Sequence, residues 1–157
     1  MKLIFFILIA LVPFRLAFAS QIDNDKPIEV TQPWARATFA LAKTGALYFT
    51  LTNHSDKPIT LLSAQVAKTV ASKTEIHHTI MQDGMMKMQE LAEGVLVGPG
   101  ETVHFSPGGK HIMLMGLTGP LEDGEKLQLA LEFNDDVSMS IDVPIRKQAE
   151  SVSHEHH

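Results

Sequence analysis

The chain has 157 residues, 45% of them apolar and 6% aromatic, and a formal charge of -5. That length suits one domain around a single core, and the scattered basic residues exclude a nucleic-acid footprint. The absence of cysteine excludes disulfides, a cysteine-borne lipid anchor and every thiolate metal centre, the blue-copper type included.

Residues 1–19 have the anatomy of a secretory signal. Lys2 gives a positive start, Leu3 to Val12 is an unbroken apolar run, and Ala17-Phe18-Ala19 offers the small residues that a signal peptidase reads. The run falls short of the ~20 residues needed to cross a bilayer, so the expectation is cleavage, a periplasmic location and no membrane insertion afterwards. Residues 20–26 read as a flexible leader, 27–146 as the folded domain, and 147–157 as a disordered tail that ends Ser153-His154-Glu155-His156-His157.

Within the domain, Ile28, Val30 and Trp34 predict a first strand, with Pro33 suited to an edge or bend. Gly45 to Asn53 predicts a second strand, and Asn53 to Pro58 is a cluster of turn formers. Ile59 to Val66 follows as a strand, while Ala67 to Ser72 reads equally as a helical turn or a loop. Lys73 to Met81 alternates, Asp83-Gly84 is a two-residue hairpin signal, and Met85 to Gln89 is the returning strand. Glu101 to Ser106, Lys110 to Leu117, Lys126 to Phe133 and Val137 to Ile145 complete the set, separated by Gly, Pro, Asn and Asp turns. Seven to nine short strands and no helix of ordinary length predict an all-β sandwich or barrel.

The chemistry concentrates between Glu75 and Met115, which holds His77, His78, His104 and His111 together with Met81, Met85, Met86, Met88, Met113 and Met115. Imidazole and thioether together favour a soft monovalent metal, copper(I) before others. A two-residue turn pairs Gln82 with Met85 and Thr79 with Met88, placing His77 diagonal to Met88 on one face. A three-residue loop would instead set His78 opposite Met88, so His78 stands as the substitute ligand. On the later strand His111, Met113 and Met115 share a face. His77, Met88, His111 and Met113 then form a set of two nitrogens and two sulfurs, all neutral, with no charge to balance the metal. Met85 and Met86 read as packing, and Met81 and Met115 as either core or support for the site. His104 reads as a solvent-facing strand residue, and His54 as a turn residue without a partner nearby in sequence.

The spacing of His77, Met88, His111 and Met113 resembles the H-x10-M-x21-H-x-M signature of the PCuAC-type periplasmic copper chaperones, with one extra residue in the second gap. Trp34-Ala35-Arg36-Ala37, Gly45-Ala46-Leu47-Tyr48 and the run Pro107 to Leu117 match as well, so the resemblance covers Ile28 to Ile145. It implies a cupredoxin-like Greek-key β-sandwich with an exposed copper(I) site. The residues themselves offer no Ser/His/Asp or paired-carboxylate arrangement, so no enzymatic activity is expected. The resemblance further implies delivery of copper toward the CuA centre in cytochrome c oxidase assembly, with a copper-accepting protein or another chaperone as partner. Some members carry a His/Met-rich extension that binds copper(II); here His154, His156 and His157 are the short counterpart. The expected carrier is a monomer. The alternatives are a non-catalytic interaction module with a methionine-lined surface, and a protein of periplasmic copper storage or tolerance.

Overall fold

In the computed structural model the described residues are 26–147. The expected signal segment and the histidine tail beyond Lys147, with His154, His156 and His157, lie outside them. Ten strands make up the fold: β1 Ile28–Arg36, β2 Thr44–Asn53, β3 Ile59–Gln65, β4 Ala71–Gln82, β5 Met85–Glu90, β6 Val95–Val97, β7 Thr102–Phe105, β8 Lys110–Leu117, β9 Lys126–Phe133 and β10 Ser138–Arg146. That exceeds the expected seven to nine. The strand with no counterpart in the sequence reading is β6, whose three residues are too few for alternation to register. The segment left open at Ala67 is a turn, closed by Val70 N–H donating to the Ala67 carbonyl at 2.8 Å.

Hydrogen-bonded neighbours run β5-β4-β8-β7-β2-β1-β10-β9-β3-β6, with β8 also beside β2. The first six strands form one layer and the last four another. They join where the end of β1 runs parallel to β10, Ala35 opposite Ile145 and Arg36 opposite Arg146. Neighbours distant in sequence, such as β4 beside β8, are the crossings expected of a Greek-key sandwich.

Strict alternation explains the layering. In β9 every second residue, Leu127, Leu129, Leu131 and Phe133, is buried. Leu47, Phe49 and Leu51 of β2 and Ile112 and Leu114 of β8 meet them from the other layer, with Phe49 stacked on Phe105 at 4.3 Å between ring centres. Each such side chain stabilises the fold by roughly 1.5–3 kcal/mol relative to exposure. Of the two buried polar side chains, Asn53 and His111, the first is sealed into this core. Asn53 is fully buried and its Nδ2 donates to the carbonyls of Lys57, Val97 and Gly98 at 2.7, 3.1 and 3.1 Å, tying the end of β2 to the turns around it.

With the inner face of the first layer committed to the core, its outer face must carry the alternate residues. Along adjacent strands these are Trp34, Tyr48, His111, Met113, Glu75, His77 and Met88.

Candidate metal centre

β4 is the longest strand, at 12 residues, and outruns its neighbour β8. Its pairing with β8 ends at His78 opposite Lys110, while its pairing with β5 runs from His77 opposite Glu90 to Gln82 opposite Met85. At His77 the strand is therefore flanked on both sides. Beyond His78, β4 and β5 continue alone as a two-stranded ribbon. The ribbon turns at Asp83 and Gly84, with φ of 54° and 75°, the left-handed pair of a two-residue hairpin.

This is the short-turn register, with Gln82 opposite Met85 and Thr79 opposite Met88. Residues directly opposite share a face, so His77 lies with His111, Glu75 with Met113 and Thr79 with Met88, all on the outer surface. His78 points to the other face, along with Ile76.

His111 owes its position to an interruption. β2 pairs with β7 at Phe49 opposite Phe105 and with β8 at Leu47 opposite Ile112, so the one residue between them on β2, Tyr48, faces six on the other side. The excess loops out through Ser106-Pro107-Gly108-Gly109, closed by Ser106 N–H donating to the Lys110 carbonyl at 2.8 Å. Gly108 takes φ 80°, which a side chain rarely adopts. The loop also presents the Gly109 carbonyl, which accepts from Thr79 N–H at 3.1 Å and from His111 Nδ1 at 3.1 Å.

Each imidazole has one nitrogen occupied by an acceptor, which fixes where its proton sits. A carboxylate and a carbonyl can only accept, so His77 Nε2 donates to Glu75 at 2.7 Å and His111 Nδ1 donates to Gly109. The lone pairs are then on His77 Nδ1 and His111 Nε2. His77 Nδ1 is buried and has no hydrogen-bond partner. A buried acceptor without a donor is unfavourable by a few kcal/mol unless something else engages the lone pair. The ring centres stand 5.8 Å apart at 68°. Two imidazoles binding one ion at ~2 Å require centres within roughly 6.5 Å, so the pair fits a shared ion.

Glu75 corrects the expectation of an uncompensated neutral donor set. Its side chain is only 10% exposed, and it bridges Lys73 and His77. Those two hydrogen bonds, the one from Lys73 first, hold its carboxyl below the usual range, so it stays anionic behind the His77 ring. The clue was available, because strand alternation sets Glu75 and His77 on one face, but a carboxylate two residues from a histidine is common and carried no weight. Burial holds the His111 imidazole below the ordinary histidine range, partly offset by its bond to Gly109. Tyr48 sits 6.5 Å from His111 between ring centres and packs against Trp34 at 4.6 Å with the rings tilted by 37°; Arg146 lies over Trp34 at 4.9 Å.

The methionines divide differently from the sequence reading. Met85 and Met86 were expected to pack, yet they are 59% and 66% exposed, because no strand covers the ribbon beyond His78. Met81, expected to be core or support, is 68% exposed for the same reason. Met88 is also exposed, while Met113 and Met115 are half-buried within the sheet. Met86, Met88, His111, Met113 and Tyr48 line one open cleft of about 480 Å³. Among the described residues, no three His, Asp or Glu side chains are placed to hold a metal by themselves, so any centre here depends on thioethers. His104 faces solvent and bonds to Thr50 at 3.2 Å, and His54 finds Glu29 at 2.8 Å from a distant strand.

Fold and face together define a cupredoxin-like β-sandwich with a histidine–methionine patch on the outside of one sheet. Residues 28–145 match the LpqE-like family, described as "Putative lipoprotein LpqE-like". The chain belongs to that family, which is of PCuAC type. "Uncharacterized protein RP573" of Rickettsia prowazekii is 31% identical over 134 residues, covering 81% of this chain and 73% of that protein. "Putative lipoprotein Lxx21020" of Leifsonia xyli subsp. xyli is 38% identical over 87 residues, 55% of this chain; the match spans about half (52%) of that relative's length. Among solved structures, the apo PCuAC domain of PmoF1 superposes with a TM-score of 0.64 at 25% identity, over 78% of this chain and 96% of that one. The CuI form of DR1885 from Deinococcus radiodurans gives 0.63 at 28%, over 84% and 88%.

Proposed function

We propose that this chain is an exported, non-catalytic copper(I) carrier. It holds its cargo through His77 Nδ1, His111 Nε2 and the sulfurs of Met88 and Met113, and passes it on by ligand exchange. The observation that carries the reading is the cross-strand register. It sets two imidazoles, each with its free lone pair defined, opposite one another, with a thioether on either side. Two things support it further: the donors are those that select copper(I) in a chain without thiolates, and a family relative has been solved in its CuI form. The finer reading is delivery toward the CuA centre of cytochrome c oxidase by a monomer in the periplasm, with residues 1–19 as a cleaved signal and the C-terminal histidines as an auxiliary copper(II) site. It rests on the resemblance of the motif.

The outward face suits a carrier. An acceptor protein can reach the ion without the fold opening, and neutral thioethers leave more readily than thiolates. Anaerobic copper(I) titration against a chromophoric competitor, with X-ray absorption on the loaded protein, tests the assignment. Two sulfur and two nitrogen scatterers are expected, and Met88→Leu/Met113→Leu binds at least 100-fold more weakly. Equal affinity in both proteins, or an all-nitrogen shell, refutes it.

A further inference from the structure

Beyond His78 the β4–β5 ribbon presents one face made largely of sulfur. Met81 lies directly opposite Met86, and Met88 is two residues along the same strand, so all three thioethers point the same way as His77. They are 68%, 66% and 60% exposed. Three long apolar side chains held in water at the end of a ribbon do nothing for the core, and a strand with two open faces would be better served by polar residues. Directly opposite residues stand ~4.5–5.5 Å apart at Cα, so three flexible methionine side chains can bring their sulfurs to one point.

We propose that Met81, Met86 and Met88 form a second, outer site for a soft monovalent cation, a landing point from which copper(I) enters the His77/His111 centre. This rests on the carrier reading above and adds a route to it. Met86 and Met88 line the same cleft as His111 and Met113, so the outer and inner donors are contiguous. An all-thioether site binds more weakly than one that includes imidazoles, and the direction of transfer follows from that gradient. Met88 keeps its bond throughout. The copper–sulfur bonds to Met81 and Met86 break as bonds to His77 Nδ1, His111 Nε2 and the Met113 sulfur form, and the metal stays monovalent. No electron or proton is exchanged.

The test uses the protein labelled with 13C at the methionine methyls and titrated with silver(I), a redox-inert probe of the same softness. The first equivalent shifts Met88 and Met113, and the second, with Met88 already held by the inner ion, is caught by Met81 and Met86 and shifts those two methyls. In stopped flow, loading from a copper(I)–chelate complex slows about tenfold in Met81→Leu/Met86→Leu. Loading is unchanged in Met85→Leu, which is equally exposed but lies on the opposite face. Unmoved Met81 and Met86 methyls at two equivalents, or equal slowing in Met85→Leu, overturns the outer site while leaving the inner one standing. If Met88 and Met113 also fail to shift, the carrier reading falls with it.

Discussion

Removing the charge of Glu75 while keeping its shape probes the least anticipated part of the centre. In Glu75→Gln the amide oxygen still accepts from His77 Nε2, so the ring keeps its tautomer and its free Nδ1. What is lost is one negative charge behind the ligand. The Glu75–His77 bond is 2.7 Å, and adding the imidazole and a metal–nitrogen bond of ~2 Å puts the carboxylate about 6 Å from the ion. Coulomb's law then gives about 3 kcal/mol at an effective dielectric of 20 and about 0.7 kcal/mol in bulk water. Lys73 on the other carboxylate oxygen cancels part of this, and the open cleft screens more. The expected loss is about 1.4 kcal/mol, or tenfold in copper(I) affinity, at the low end of what partners of metal-binding histidines contribute.

Glu75→Leu goes further, because the Nε2 proton then has no acceptor and the ring is free to place its proton on Nδ1. Affinity falls about 100-fold. The 15N shifts of His77 move from a single tautomer to a mixture in the leucine variant and stay put in the glutamine one. Urea unfolding of both variants separates these effects from any change in stability. Affinity within twofold of wild type for Glu75→Gln would falsify the electrostatic role and leave Glu75 as a partner of Lys73 alone.

Two further outcomes test the frame and the centre separately. Asn53→Ala removes the Nδ2 bonds to the carbonyls of Lys57, Val97 and Gly98 and leaves a cavity in the core; it lowers unfolding free energy by about 2–3 kcal/mol in urea titration, with no change in copper(I) affinity, and a change under 0.5 kcal/mol contradicts the bonding described. Because burial lowers the pKa of His111, its neutral form persists on acidification past the ordinary value of about 6.5. Protons therefore compete for His111 Nε2 only below that point, and in a His77→Ala protein, where His111 is the remaining imidazole ligand, copper(I) affinity stays level from about pH 8 to 6.5 before it declines. A tenfold loss between pH 8 and 7, measured with a pH-insensitive competitor, contradicts this.

Most of the frame could be read from alternation and turns. β9 spells buried and exposed in strict turn, and Asp83-Gly84 fixed the hairpin register that every argument about His77 depends on. The sequence could not show that β7 and β8 are one strand broken by a loop, since Pro107-Gly108-Gly109 looks the same in an ordinary turn between separate elements. Nor could it show that β4 outruns β8. Strand length is legible in a sequence, but strand cover is not, because it depends on where a non-adjacent partner stops. That single unknown is why alternation and turns point to packing for Met85 and Met86, and to core or support for Met81, when all three stand in water. Glu75 was overlooked for a related reason. Its role comes from the 2.7 Å approach to His77 and from Lys73 beyond it, and alternation gives a shared face but no distances.

The centre is built from two kinds of support, and the difference bears on how cargo leaves. His77, His111 and Met113 sit on strands paired on both sides, their imidazoles pinned by Glu75 and Gly109, so they hold one geometry whether or not an ion is present. Met88 sits on an edge strand whose six residues are all exposed. Edge ribbons covered on neither face open more readily than strands in a sheet interior. On the proposed carrier reading, release to an incoming acceptor is therefore expected to begin at Met88, with one thioether exchanged for a ligand of the partner while the imidazoles retain the ion until a second bond forms. A crosslink that ties β5 to the body of the sheet should leave equilibrium affinity near its wild-type value while slowing transfer to a chelating acceptor. Equal transfer rates with and without the tether would place the first bond to break among the fixed ligands instead.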